Sequence, residues 1–201
     1  MSAVKLTKNE LKKQKDSLKR YRRYLPTLIL KKQQLQMVIR QLESRLADEV
    51  SKRRQLIDSA AVWMDLFTET FPFQEWLKVK TVHTESANVA GVEIPVFKDI
   101  DFIVSGHDLF LTPPWVDEAL LYLAKRCRLD VEIGFLNRQV ALLEAELRVT
   151  SQRVNLFEKV KIPQAAENIR KIQIYLGDQQ TAAVVRGKTA KKNLIRRVEA
   201  S

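Results

Sequence analysis

LDVEIGFLNRQVALLEAELRVTSQRVNLF, residues 129–157, is the stretch whose period decides the fold. Leu129, Ile133, Leu136, Val140, Leu143, Leu147, Thr150, Val154 and Phe157 recur by four and three without a slip. A strand would alternate every second residue; this spacing puts one stripe on one side of a helix and matches a coiled-coil seam. Such a stripe needs a second apolar surface, and the N-terminal part of the chain offers one. Leu11, Leu18, Leu25, Ile39 and Leu46 take one seam position there, and Tyr21, Leu28, Leu35, Leu42 and Leu56 take the other. Lys32 and Arg53 interrupt that seam, Gln14 and Glu49 soften it, and past Leu46 it drifts onto Val50, Ile57, Ala61, Met64 and Phe67. A drift of this kind changes the local winding of a supercoil.

The helix boundaries are marked by local chemistry. Thr7 with Glu10 three residues later is a capping box that satisfies otherwise unpaired amide donors and starts the first helix. Before Phe71 the chain has no glycine and one proline, Pro26, where a bend is expected rather than a break. The second helix is expected to start with Thr112 as cap, Pro113 and Pro114 in the first turn, and Asp117 and Glu118 where the helix dipole favours acids. Pro163 should bend it. Ile162, Ala166, Ile169, Ile172 and Leu176 carry its stripe onward to Gly177, beyond which the seam weakens into a frayed or unstructured basic tail. At about 1.5 Å per residue, residues 7–70 and 114–176 would each span roughly 95 Å. Two equal stripes bury each other when the chain folds back, with both termini at one tip. The expected fold is therefore mainly α, a long antiparallel two-helix coiled coil with a small central β-hairpin.

Between the helices the period changes. Val79, Thr81 and His83 read as a strand, and Val89 to Ile103 holds Gly91, Pro95 and the β-rich run from Phe97 to Val104. A hairpin containing Val89, Gly91, Val92, Ile94 and Pro95 is expected, too small to stand alone and so leaning on the helices. Trp63, Trp76 and Trp115 cluster near the junctions, where packing that ties the hairpin to the helices outweighs a binding platform. The resulting division is 1–70 for the first helix, 71–113 for the central segment, 114–180 for the second helix and 181–201 for a basic tail.

Charge follows the same division. Residues 1–70 have sixteen Lys/Arg against eight Asp/Glu, residues 71–113 three against six, and residues 114–201 sixteen against ten. Basic ends and an acidic middle suit nucleic acid, anionic lipid or an acidic protein surface, and charge alone does not choose among them. No run approaches the twenty or so apolar residues that cross a bilayer, and Lys5, Lys8, Lys12 and Lys13 stand where a secretion signal would be apolar; a soluble, unsecreted chain is expected.

Sites for chemistry are not expected. The five glycines stand singly, and Gly187-Lys188-Thr189 lacks the earlier glycine and leading strand of a phosphate loop. His83, His107 and Cys127 have no metal-ligand spacing, and Cys127 lies at helical spacing among apolar residues, as a buried inert thiol does. Asp99 and Asp101 would share one strand face, which reads as solvated rather than as an acid and base pair. No catalytic, cofactor or metal residue is nominated.

Particular stretches resemble a known family. LTKNELKKQKDSLK at 6–19 and YLPTLILKKQQLQ at 24–36 resemble the first helix of the D subunit of V-type and archaeal-type rotary ATPases. NVAGVEIP at 88–95 is similar to that family's central hairpin, and RVNLFEKVKIPQAAENIRKIQIYL at 153–176 to its C-terminal signature. Gly177-Asp178 departs from the charged helix continued in many members.

The resemblance implies a non-catalytic rotor shaft at the cytoplasmic face of a membrane complex, without cofactor, direct nucleotide or membrane insertion. Its implied partners are the catalytic and non-catalytic head subunits A and B, the small rotor F subunit, and a membrane-ring adaptor of the C or d type. On this reading Lys12, Lys13, Lys15, Lys19, Arg20, Arg22 and Arg23, with Lys188, Lys191 and Lys192, face the head, and the hairpin meets the F subunit or regulates hydrolysis. The rival is a basic coiled coil that binds nucleic acid or scaffolds a membrane. The acidic middle and the lack of basic residues interleaved with aromatics oppose the first, and the concentration of charge at the termini opposes the second.

Overall fold

A computed structural model describes residues 4–61, 71–106 and 112–199. Helix α1 spans Lys8–Ala60. The Glu10 N–H donates to Thr7 Oγ1 at 3.2 Å and the Leu11 N–H to the Thr7 carbonyl at 3.0 Å, so the Thr7 half of the expected capping box forms, while the Glu10 carboxylate accepts from Gln14 Nε2 at 2.7 Å. The helix continues through Pro26, whose missing N–H leaves the carbonyl one turn earlier without its usual donor. A short helix α2, Phe73–Trp76, precedes strand β1, Leu77–Val89, which pairs antiparallel with β2, Val92–Val104. Helix α3 spans Trp115–Asn155, a π-helical turn follows at Leu156–Lys161, and α4 spans Ile162–Glu199. The architecture is mainly α with one small antiparallel hairpin, as the period of the sequence requires.

Two boundaries differ from the sequence reading. Helix α3 begins at Trp115, so Pro113 and Pro114 precede its first turn; the Val116 N–H reaches back to the Pro113 carbonyl at 3.1 Å. At the other end the helix, expected to give way after residue 180 to a frayed or unstructured tail, runs on to Glu199. One helical glycine costs about 1 kcal/mol against alanine, and the Gln, Ala, Arg and Lys residues around it are good helix formers. The stripe does weaken: of the described side chains from Asp178 to Val198, all are exposed except the half-buried Ala182. Trp63, Met64, Phe67 and His107 lie outside the described residues.

The chain divides into two units, Met1–Leu30 with Thr150–Ser201, and Lys31–Val149. In Lys31–Val149, Leu35, Ile39 and Leu42 of α1 and Leu136 and Leu143 of α3 form a core with Ile94 of β2. Val140, Leu46 and Leu147 pack half-buried against it. Ion pairs flank the seam, Lys31 with Glu146 at 2.6 Å, Arg45 with Glu132 at 3.7 Å and Arg53 with Asp130 at 3.2 Å. Partners descend along α3 as they ascend along α1, so the helices here are antiparallel. Arg53, an interruption of the apolar pattern, is thus a register mark. Exposed pairs add at most about 1 kcal/mol each, Lys31–Glu146 is only part-buried, and burial of the leucines and isoleucines dominates.

In the unit of Met1–Leu30 and Thr150–Ser201, Tyr21 packs on Phe157 with ring centroids 5.2 Å apart. Thr150, Val154, Ala165 and Ile172 are buried, while Leu11, Leu18, Leu25, Leu28, Ile169 and Leu176 are half-buried. Ala165 replaces the expected Ala166, which is exposed. Ala165 stands three residues after Ile162 and four before Ile169, both half-buried, so it rather than Ala166 completes the stripe there.

The hairpin turn is the two residues Ala90 and Gly91, with φ of 51° and 82°. Both are left-handed, which matches the twist of a two-residue hairpin, and the Gly91 N–H donates to Asn88 Oδ1 at 2.9 Å. A Cβ at position 91 would meet nothing within 4 Å, so substitution there costs backbone energy alone. Gly91→Ala is expected to lower stability by about 1 kcal/mol in urea unfolding. An unchanged midpoint would contradict the turn assignment.

Candidate functional site

The hairpin is fastened to the helices of its unit by four kinds of contact. Ile94 and Ile100 are buried on β2, whereas no residue of β1 is fully buried, so β2 is the strand that faces inward. Gln139 of α3 is 4 % exposed, and its Nε2 donates to the Pro95 carbonyl at 2.6 Å. Arg128 pairs with Asp99 at 3.1 Å, and Phe97 and Phe135 have ring centroids 5.9 Å apart. Val89, Val92 and Ala87 add apolar contact to the core. Two bulges, at Lys80 and at Lys98, adjust the register between the strands.

Asp99 and Asp101 each meet a different basic side chain. Asp99 is engaged by Arg128, and Asp101 accepts from His83 Nε2 at 2.9 Å on the exposed side. The hydrogen bond from His83, and then its charge, holds the Asp101 carboxyl below its ordinary value. Near the start of α3, Trp115 meets Phe71 at 5.5 Å and Phe73 at 6.1 Å, and Trp76 meets the same two rings at 6.1 and 6.0 Å. Trp76 and Trp115 thus tie the short helix α2 to α3. Cys127 is half-buried, and burial followed by the nearby Asp130 pushes its thiol above the ordinary value, the opposite of an activated nucleophile. Among the described residues no group of His, Cys, Asp and Glu could hold a metal ion. No described helix is long and apolar enough to cross a membrane.

The cations singled out from the sequence are all at the surface. Lys12, Lys13, Lys15, Lys19, Arg20, Arg22 and Arg23 are exposed on α1, and Lys188, Lys191 and Lys192 on α4. Among the described residues none of these ten lies within 4.0 Å of a carboxylate, in contrast to Lys31, Arg45 and Arg53 farther along α1. Lys12, Lys13, Lys19 and Arg20 line one shallow depression with Asn9 and Asp16, and Lys188, Lys191 and Lys192 line another with Ile195 and Arg196. Like charges one turn apart repel, so a cluster left unpaired is stabilised when an acidic surface approaches.

The sequence pattern of the family described as the ATP synthase D subunit matches residues 10–192. The chain belongs to that family. It is similar to the V-type ATP synthase D subunit of Borreliella burgdorferi, with 54 % identity over 98 % of each chain. It is also similar to the V-type ATP synthase D subunit of Chlamydia abortus, with 35 % identity over 100 % of this chain and 98 % of the relative. The corresponding protein of Chlamydia trachomatis serovar L2 shares 33 % identity over 96 % and 97 %. The D subunit is a structural stalk component, not a catalytic one, of a membrane-associated complex.

Within this family frame, Gln139, Arg128, Phe135 and the π turn are the features that sequence reasoning missed. Gln139 sits beside the seam between Leu136 and Val140, and a polar residue at such a place was a signal that something polar must answer it. The identity of its acceptor, 44 positions away in the chain, was not readable.

Proposed function

We propose that the chain is the central, non-catalytic rotor shaft of a V-type ATPase or ATP synthase that moves protons or sodium ions. It lies on the cytoplasmic side as a peripheral part of the complex and links the A and B head subunits to the membrane ring through an adaptor of the C or d type. The observation that carries the reading is a family member built as paired antiparallel helices, with ten exposed cations near the chain ends left without carboxylate partners. Nucleotide-driven closure of the head subunits favours one angular position of an asymmetric shaft over the others, and differential binding energy becomes torque. The ten cations Lys12, Lys13, Lys15, Lys19, Arg20, Arg22, Arg23, Lys188, Lys191 and Lys192 face acidic surface of the head.

The test is to replace the seven α1 cations by Gln and measure head assembly and coupled hydrolysis over a salt series. Assembly at low salt is expected to weaken by about tenfold or more, the size of a few lost exposed ion pairs of up to about 1 kcal/mol each, and the salt dependence should flatten. Unchanged assembly at low and moderate salt would refute the role of these residues. The hairpin, whose β1 faces outward, contacts the small rotor F subunit. Deleting residues 85–93 should leave the helices folded and change binding of that small partner or the hydrolysis rate.

A further inference from the structure

The π turn at Leu156–Lys161 is the one described interruption of the helical path from Trp115 to Glu199. Its wider turn shows in the bond from the Ile162 N–H to the Phe157 carbonyl, five residues back rather than four. The consequence for packing is a shift by one. Extending the four-and-three spacing from Leu143, Leu147, Thr150, Val154 and Phe157 would bring Lys161, Gln164, Asn168, Lys171 and Tyr175 to the buried side. In the structure Gln164, Lys171 and Tyr175 are exposed and Lys161 and Asn168 half-buried, while Ala165 and Ile172 are 3 % and 0 % exposed and Ile162, Ile169 and Leu176 half-buried. The extra residue puts Ala165 and Ile172, rather than Gln164 and Lys171, at the fully buried positions.

Pro163 explains why the extra residue stays where it is. In an α-helix its nitrogen would have to donate to the Lys159 carbonyl, and its ring would press on that oxygen. A π turn immediately before the proline opens the backbone there and relieves the clash. The insertion therefore cannot move toward the C-terminus. On its N-terminal side no proline or glycine stops it before Gly134. At the turn itself Phe157 is held by Tyr21, but Leu156 and Val160 are exposed, at 42 % and 48 %, and none of its six residues is buried. A segment with few packed side chains and displaced backbone bonds opens at lower free energy than its flanks.

We propose that Leu156–Lys161 is a torsional joint: a skipped residue, blocked on one side by Pro163, that lets α4 turn about its axis relative to Thr150–Asn155 while the stripes on either side stay packed. The proposal rests on the rotor reading for its use, a compliant element in a shaft that is twisted at one end, but the joint itself is testable without it.

Hydrogen exchange on the full-length chain is the first measurement. Amides of residues 158–162 should exchange at least about tenfold faster than those of 143–147 and 169–172. Removing the skip, by deleting Val160 together with Pro163→Ala, restores an unbroken spacing and should slow exchange at the site to that of its flanks. In the assembled complex the same variant should narrow the angular spread of a probe on the stalled rotor by about half, because a continuous helix resists twisting more than an interrupted one. Uniform exchange across 143–172 in the wild-type chain would overturn the joint, whether or not the variant folds. So would an unchanged angular spread in a variant whose exchange has slowed. If the wild-type probe does not turn on addition of ATP, the rotor reading fails, while the exchange result still decides the joint.

Discussion

Leu143→Ala is expected to lower the unfolding free energy by about 3–5 kcal/mol. Leu143 is 0 % exposed, and its cluster joins three elements, with Leu35, Ile39 and Leu42 from α1, Leu136 from α3 and Ile94 from β2. Truncation removes buried methyl groups and leaves a cavity that helices pinned by flanking ion pairs close poorly. The neighbouring Leu142, 39 % exposed, is the internal control, and Leu142→Ala should stay within about 1 kcal/mol of wild type. Urea unfolding of both variants checks the pair. Similar losses for the two leucines would contradict the assignment of Leu143 to the seam and Leu142 to the flank.

Gln139→Leu is expected to cost about 2–3 kcal/mol, with the loss centred on the hairpin. Leucine fills nearly the same volume but donates no hydrogen bond, so the half-buried Pro95 carbonyl loses the donor now 2.6 Å away. Gln139→Glu should cost more, because it places a second acceptor, charged unless protonated, against the same oxygen. Hydrogen exchange distinguishes this effect from that of Leu143→Ala: protection should fall first in β1 and β2, with 31–46 and 129–147 of the helices less affected. Equal loss of protection everywhere would show that Gln139 serves general packing rather than hairpin attachment.

What could be read from the chain in advance was whatever depends on neighbours in sequence. The seam from Leu129 to Phe157 follows from a period, and the cap at Thr7 from a side chain three residues before Glu10. The exposure of Lys12 through Arg23 follows from the same period, since they fall between the stripes. What escaped depends on partners far along the chain. Gln139 with Pro95, Arg128 with Asp99 and Phe135 with Phe97 fasten the hairpin, and neither member of any pair indicates the other. Ala165 and Ala166 are chemically identical neighbours, and a step of three then four or of four then three from Ile162 to Ile169 reads equally well in the sequence. Pro163 signalled a disturbance there but not its form, because a bend and a widened turn both answer a missing N–H. The helix past Gly177 was a contest between one glycine and many favourable residues, and the favourable residues prevail.

Rotation itself is the most direct test of the shaft. With the A and B head fixed to a surface and a bead or fluorophore attached to this chain, addition of ATP should drive the probe around in one direction, in discrete steps. Hydrolysis at the full rate in a complex whose probe stays at one angle would contradict the account.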